Sequence, residues 1–211
     1  GYLVTPEKFT LLSARGLKAT NEEWTNRDGT KARGWLLRGA EGAPAVMLLH
    51  RYGADRSWLL NLGVKLNEAT NYTVLWPDLR GHGVEPPVAW TSFGGRETED
   101  VSAALDYLRG LKTPQERPLV GTHTGLYGVE LGAYAALRAG ASDEKVSALV
   151  LDSVPDTPNE ILNSAVRDRT GLSNSLLKWL ARGGTRIYFL GGYDNTRSCE
   201  SAAKMGERRV L

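Results

Sequence analysis

Hydrophobic and polar positions change period several times along the chain, and the changes mark out its elements. Residues 18–25 and 31–37 alternate as extended runs around Asn26-Arg27-Asp28-Gly29. Asp-Gly between two such runs predicts a β-hairpin. Residues 45–50, Ala-Val-Met-Leu-Leu-His, form the short continuous apolar run of a strand buried on both faces. Residues 56–69 then place Leu59, Leu62 and Leu66 at helical spacing, and residues 73–76 give a second buried strand ended by Pro77. Residues 97–108 read as an amphipathic helix with Val101, Ala104, Leu105 and Leu108 along one face. Glu97, Glu99 and Asp100 suit the positive end of its dipole. A strand over 124–129, a helix over 131–139 and a strand over 146–151 complete the regular part.

An opening hairpin followed by strand–helix alternation predicts an α/β fold, a mostly parallel twisted sheet with helices on both faces. Functional sites of such sheets lie beyond the carboxyl ends of the strands. The loops after His50, Trp76, Val129 and Leu151 are therefore expected to meet in space. The length of 211 residues suits one domain, residues 1–211. Downstream of residue 152 the pattern supports two readings. Residues 186–190 are a strand followed by Gly191-Gly192-Tyr193-Asp194, or residues 176–190 are one helical insertion and residues 208–211 begin the next strand. A cap or lid insertion at about 156–184 fits either. Its apolar residues, Leu176, Leu177, Trp179, Leu180, Ile187, Tyr188 and Phe189, either finish the core or cover a pocket for a small apolar or acyl ligand, and they leave contact with a membrane surface open.

Composition narrows the function classes. Hydrophobic residues make up 41% and charged residues 24%, ordinary for a globular domain. A net charge of +2, with Lys and Arg scattered, predicts no nucleic-acid partner. One cysteine, Cys199, excludes an intrachain disulfide and reads as a plain thiol. No run approaches the ~18 apolar residues of a membrane span. The chain starts at Gly1, so an N-terminal signal or anchor could precede it, and compartment and oligomeric state are not fixed by sequence. Neither metal-ligand spacing nor a phosphate or dinucleotide loop is present, so no cofactor or metal is expected.

The most informative stretch is Gly128-Val129-Glu130-Leu131-Gly132. Small residues two positions to either side of a central one permit a sharp strand-to-helix turn that holds the central side chain above the sheet in strained geometry. Further motifs follow in a fixed order: Gly34-Trp35-Leu36-Leu37 after the hairpin turn, Leu48-Leu49-His50-Arg51-Tyr52-Gly53, Asp78-Leu79-Arg80-Gly81-His82-Gly83, Phe93-Gly94 before the helix, and Leu149-Val150-Leu151-Asp152-Ser153. Together they resemble the α/β-hydrolase superfamily, in particular prolyl-oligopeptidase-like and acyltransferase-type esterases. In that resemblance Glu130 stands where the family has its serine nucleophile, and Arg51 replaces the glycine usual after the strand-end histidine.

The resemblance implies a nucleophile, an acid and a histidine in that chain order. The histidines here, His50, His82 and His123, all precede Glu130. The sequence stops where this fold would still need its last strand and helices, so the C-terminal portion, with any histidine loop, is expected to lie outside it. Asp152 and Asp194 are alternative acids. The backbone N–H of Arg51 or Tyr52, with that of Leu131, would form an oxyanion hole.

Glu130 reads in three ways: a covalent nucleophile, a general base, or a carboxylate held by the N–H groups of a former oxyanion hole in an inactive or repurposed relative. An Arg51–Glu130 ion pair is a further expectation. His50 reads as a structural strand-end residue, and His82 as the histidine nearest the site with a loop-bracing alternative. His123 falls at the opposite end, and Asp78 and Arg80 read as loop braces. The expected function is a hydrolase-fold protein with a non-standard site; the alternative is an active hydrolase of ester or acyl-type substrates using Glu130.

Overall fold

The computed structural model describes residues 19–172, 174–190, 193 and 195–211. The hairpin forms as the sequence requires: β1 (Ala19–Thr25) and β2 (Lys31–Leu37) pair antiparallel around a turn with Gly29 at φ 83°. Next come β3 (Ala43–Leu49), a 3-10 turn (Arg56–Leu59), α1 (Leu60–Thr70), β4 (Thr73–Pro77), α2 (Gly95–Arg109), β5 (Val120–Val129), α3 (Leu131–Ala141) and β6 (Val146–Asp152). After β6 lie α4 (Pro158–Thr170), α5 (Ser175–Phe189), α6 (Ser198–Ala202) and β7 (Arg209–Val210). The strands form one sheet in the order β1-β2-β4-β3-β5-β6-β7. Pairing is antiparallel from β1 to β4 through β2 and parallel from β4 onward. The fold is the expected α/β sheet with helices on its faces.

Burial follows the apolar pattern. The centre of the sheet, Met47, Leu49, Leu75 and Leu126, packs with the predicted face of α2, whose Val101, Ala104, Leu105 and Leu108 are fully buried. On another cluster α1 covers Leu48, Val74 and Trp76. The face of α1 differs from expectation, because Leu60, Gly63 and Val64 turn inward and Leu62 is exposed. A Cβ at Gly63 would stand 2.2 Å from the Trp76 ring, so the helix sits on that indole through its glycine. Close approach to a large ring outweighs leucine periodicity here.

The two readings of the C-terminal third are resolved. Residues 186–189 are helical, as part of α5, with Leu190 as its C-cap, and β7 is the strand that follows β6, pairing Ala148 with Arg209 and Leu149 with Val210. Leu211 extends this contact, donating to Leu149 O at 3.0 Å and accepting from Leu151 N at 2.8 Å. The core-finishing reading of the apolar stretch also gives way. No residue of α5 is buried, and Leu176, Trp179, Leu180, Ile187 and Tyr188 are all more than half exposed.

Candidate functional site

The turn between β5 and α3 is shaped by contacts only glycine permits. A Cβ at Gly128 would lie 2.5 Å from the backbone of Gly132, and one at Gly132 would lie 2.4 Å from the carbonyl oxygen of Leu49. Both obstacles are backbone and cannot turn aside, so the chain bends tightly against the end of β3. Glu130 at the apex adopts φ 49°, ψ −105°, a conformation costly for any residue with a Cβ. Its N–H donates to Asp152 O at 2.9 Å, and its own carbonyl accepts from Tyr134 N. Glu130 therefore opens α3 and is fixed to the end of the neighbouring strand β6. Leu131, fully buried, is the first residue of α3, so helix geometry leaves its N–H without a partner inside the helix.

The carboxylate of Glu130 meets the loop after β3. The Tyr52 N–H donates to Glu130 Oε2 at 3.2 Å. The same peptide unit is held from its other side, since the carbonyl of Arg51 lies 2.9 Å from His50 Nδ1. His50 Nε2 accepts from the Leu79 N–H at 3.1 Å, which places the ring proton on Nδ1 and makes Nδ1 the donor to Arg51. Complete burial pushes the His50 pKa down to about 3, and His82 nearby adds to the effect. His50 is thus a neutral strut between two loops.

His82 is not brought to Glu130. Its Nδ1 bonds to Arg80 O at 2.8 Å, and its ring packs edge-on against His50 and Tyr52 at 5.2 and 5.4 Å. Burial lowers its pKa. Tyr52 covers it, and no hydrogen bond joins it to Glu130 among the described residues. The expected Arg51–Glu130 ion pair is absent as well. Arg51 is exposed with its guanidinium 5.6 Å from the centre of the Trp58 ring, and no N···O approach within 4.0 Å links it to Glu130.

Asp152 reaches Glu130 through its main chain only. Its exposed carboxylate accepts from Ser153 Oγ at 2.7 Å. The other candidate acid, Asp194, lies outside the described residues. The Asp78-to-Gly83 loop is braced as the motif suggests. Asp78 accepts from Arg56 N at 3.0 Å and pairs with Arg33 at 3.2 Å. Arg80, nearly inaccessible, forks onto Asp100 and reaches Asp28 at 3.0 Å. His123 is exposed far from this end of the sheet, bonded to Ser147 Oγ.

Two cavities open here. One of about 500 Å³ is lined by Arg51, Glu130, Ser153, Glu160, Val154 and Ile161. The other, of about 520 Å³ and mainly apolar, lies between Tyr52 and Phe93 and the helices α4 and α5, with Leu162, Val166 and Leu177 in its wall. Phe93, Glu160 and Ser153 were not candidates from sequence. A signal for Ser153 exists, because a residue just beyond β6 must adjoin the one just beyond β5. It too carries a positive φ, 56°. Among the described residues no group of three or more His, Cys, Asp and Glu side chains is placed to hold a metal ion.

The fold recurs in known proteins. Along 99% of its length the chain superposes on the esterase Pf2001 of Pyrococcus furiosus, with a TM-score of 0.71, 20% identity and 75% of that chain covered. The chain has the α/β-hydrolase fold. An α/β hydrolase, GrgF from a Penicillium species, matches over 91% of the chain with a TM-score of 0.57 and 21% identity, covering 74% of that structure. The bottromycin epimerase BotH matches over 83% with a TM-score of 0.52 and 23% identity, covering 75% of its chain. Among curated sequences, the polyketide transferase grgF of Penicillium is 26% identical over 167 residues, 75% of this chain. The match covers 55% of the transferase, so the chain spans about half the length of that relative. No family model matches the sequence.

Proposed function

We propose that this hydrolase-fold chain carries Glu130 at the position of the nucleophile and that its site is repurposed to bind a small apolar or acyl-bearing ligand without serine-hydrolase chemistry. The observation that carries this reading is the Tyr52 N–H donated to Glu130 Oε2 at 3.2 Å. In a serine hydrolase the N–H groups of this loop and of the first helical residue stabilise the oxyanion that develops during acyl transfer. An anion supplied by the protein itself satisfies the Tyr52 donor and repels a second negative charge beside it.

Other features agree. Both histidines at this end of the sheet are buried as struts, and neither bonds to Glu130. The apolar cavity beside Tyr52 and Phe93 has the size and lining of a small-molecule pocket, with residues of α4 and α5 in its wall. Transfer and epimerisation, besides ester hydrolysis, appear in the names of proteins similar to this chain, so the fold accommodates chemistry other than hydrolysis.

The test is a panel of acyl esters of increasing chain length with wild type, Glu130→Ser and Glu130→Gln, alongside calorimetric titration of wild type with the matching uncharged primary amides. Binding without turnover by wild type is the expected result. Ester hydrolysis by wild type that disappears in Glu130→Gln overturns the reading in favour of a carboxylate-based hydrolase. Hydrolysis gained only by Glu130→Ser supports it, showing an intact pocket that lacks a nucleophile.

A further inference from the structure

The helix α5 is amphipathic, but its faces are reversed relative to the usual surface helix. Leu176, Trp179, Leu180 and Ile187 recur at helical spacing and point to solvent, 67%, 68%, 53% and 75% exposed. The half-buried side facing the body carries Lys178, Arg182 and Thr185 together with Leu177 and Phe189. Phe189 anchors the helix to the rest of the molecule by packing on Trp90 at 5.2 Å, and Asn174 caps its start by accepting from Leu177 N at 2.7 Å. Tyr188 and Leu190 extend the exposed apolar surface at the C-terminal end, 72% and 89% exposed. A contiguous apolar surface of this kind on a folded domain marks a contact site.

We propose that the outward face of α5 docks onto an anionic lipid surface. Charge selects the occupant. Residues 172–190 contain Lys178, Arg182 and Arg186 and not one carboxylate. Arg186 is exposed and stands seven residues from Trp179, on the same face of the helix. An apolar stripe bearing tryptophan and tyrosine, with Arg186 on its exposed face and no carboxylate along the helix, matches the boundary between acyl chains and anionic headgroups. A second copy of the chain would cover the stripe equally well, but it would bring two Arg186 side chains together with no carboxylate on either α5 to neutralise them. No helix among the described residues is long and apolar enough to cross a membrane, so α5 would lie in the interface plane. This docking is independent of the chemistry at Glu130.

The experiment is co-sedimentation of the chain with vesicles of phosphatidylcholine alone and of phosphatidylcholine with phosphatidylglycerol at equal parts. It is run for wild type, Leu176→Asp/Ile187→Asp and Arg186→Glu, with sedimentation velocity in the absence of lipid. These residues are exposed, and thermal melts matching wild type verify that each variant is folded. Wild type is expected to partition onto the mixed vesicles at least about tenfold more strongly than onto phosphatidylcholine, with the preference shrinking at high salt. The double variant should lose binding about tenfold or more, and Arg186→Glu should lose mainly the preference for anionic lipid. Absence of wild-type binding, or binding unchanged in the double variant, overturns the proposal. So does a wild-type dimer that the double variant dissolves, which would assign the stripe to a second copy.

Discussion

The peptide unit joining Arg51 to Tyr52 is gripped from both sides, its N–H by the carboxylate of Glu130 and its carbonyl by the imidazole of His50. A residue on the β5–α3 turn and a residue at the end of β3 thus fix the same amide plane. Glu130 is itself fixed through its N–H to Asp152 O, so the ends of three adjacent strands, β3, β5 and β6, are tied at one point. The carboxylate is a structural member of the site whether or not it meets a ligand.

That role is opposed by backbone strain. Glu130 holds φ 49°, ψ −105°, a region that costs about 1–3 kcal/mol for a residue with a Cβ, whereas its bond to the Tyr52 N–H returns about 1–2 kcal/mol. Glu130→Gly removes both terms, so urea denaturation should show stability within about 1 kcal/mol of wild type. Glu130→Ala keeps the strain and loses the bond, and should be less stable than Glu130→Gly by about 1–2 kcal/mol. Equal stabilities for the Gly and Ala variants would show that the turn stores no strain.

Glycine substitutions separate tight positions from open ones. Gly132→Ala drives a methyl group against the Leu49 and His50 carbonyls, both backbone, and should destabilise by about 3 kcal/mol or more, if the protein folds at all. Gly183 and Gly184 lie within α5 with nothing within 4 Å of a built Cβ. Gly183→Ala and Gly184→Ala should each stabilise that helix by about 0.5–1 kcal/mol. Helicity by circular dichroism, with the melting temperature, is the measurement.

The contrast between those glycines indicates how much the chain disclosed in advance. The hairpin, the parallel strands, the helix carrying Val101 and Leu108, and the turn at Glu130 were legible because each depends on local periodicity or on residues close in sequence. The bracing of Asp78 and Arg80 was foreseen from their loop motif. The orientation of α5 was not, because periodicity reveals two faces without saying which turns inward. The apparent strand at 186–190 failed for a related reason: a short run such as Ile187-Tyr188-Phe189 has strand-like composition, and only the continuity of apolar spacing from Leu176 makes it helical. The Arg51–Glu130 pair was inferred from adjacency of motifs, but Arg51 found the Trp58 ring instead.

Stability should fall in acid with a slope traceable to His50. Its folded pKa of about 3 lies below the ordinary histidine value, so between pH 6.5 and 3 the unfolded chain binds a proton that the folded one refuses. Stability is therefore full above pH 6.5 and declines by on the order of 1.4 kcal/mol per pH unit below it. His82, also lowered by burial, adds in the same sense. Asp78 and Asp100, raised by burial, slope the other way. The difference between wild type and His50→Asn isolates the one group, since asparagine keeps a donor to Arg51 O but does not titrate. Urea melts from pH 4.5 to 7.5 should give a shallower acid slope for His50→Asn, and parallel slopes would refute the assignment.

Arg80 should prove the most sensitive residue of the Asp78-to-Gly83 loop. Its guanidinium forks onto Asp100, reaches Asp28 at 3.0 Å and lies 4.8 Å from the centre of the Trp90 ring, with its side chain 1% exposed. Arg80 and Asp100 are both largely desolvated in the fold, so removing the cation strands the buried Asp100 carboxylate. Arg80→Met should destabilise by about 3–5 kcal/mol. Arg80→Met/Asp100→Asn removes the stranded charge together with its partner and should recover a substantial part of that loss. Because Trp90 also packs on Phe189, the single variant should loosen α5 from the body, read as faster amide exchange across residues 175–189 at temperatures where β3 and β5 stay protected. If α5 and the central strands lose protection together, Arg80 supports the whole domain rather than the seating of this helix.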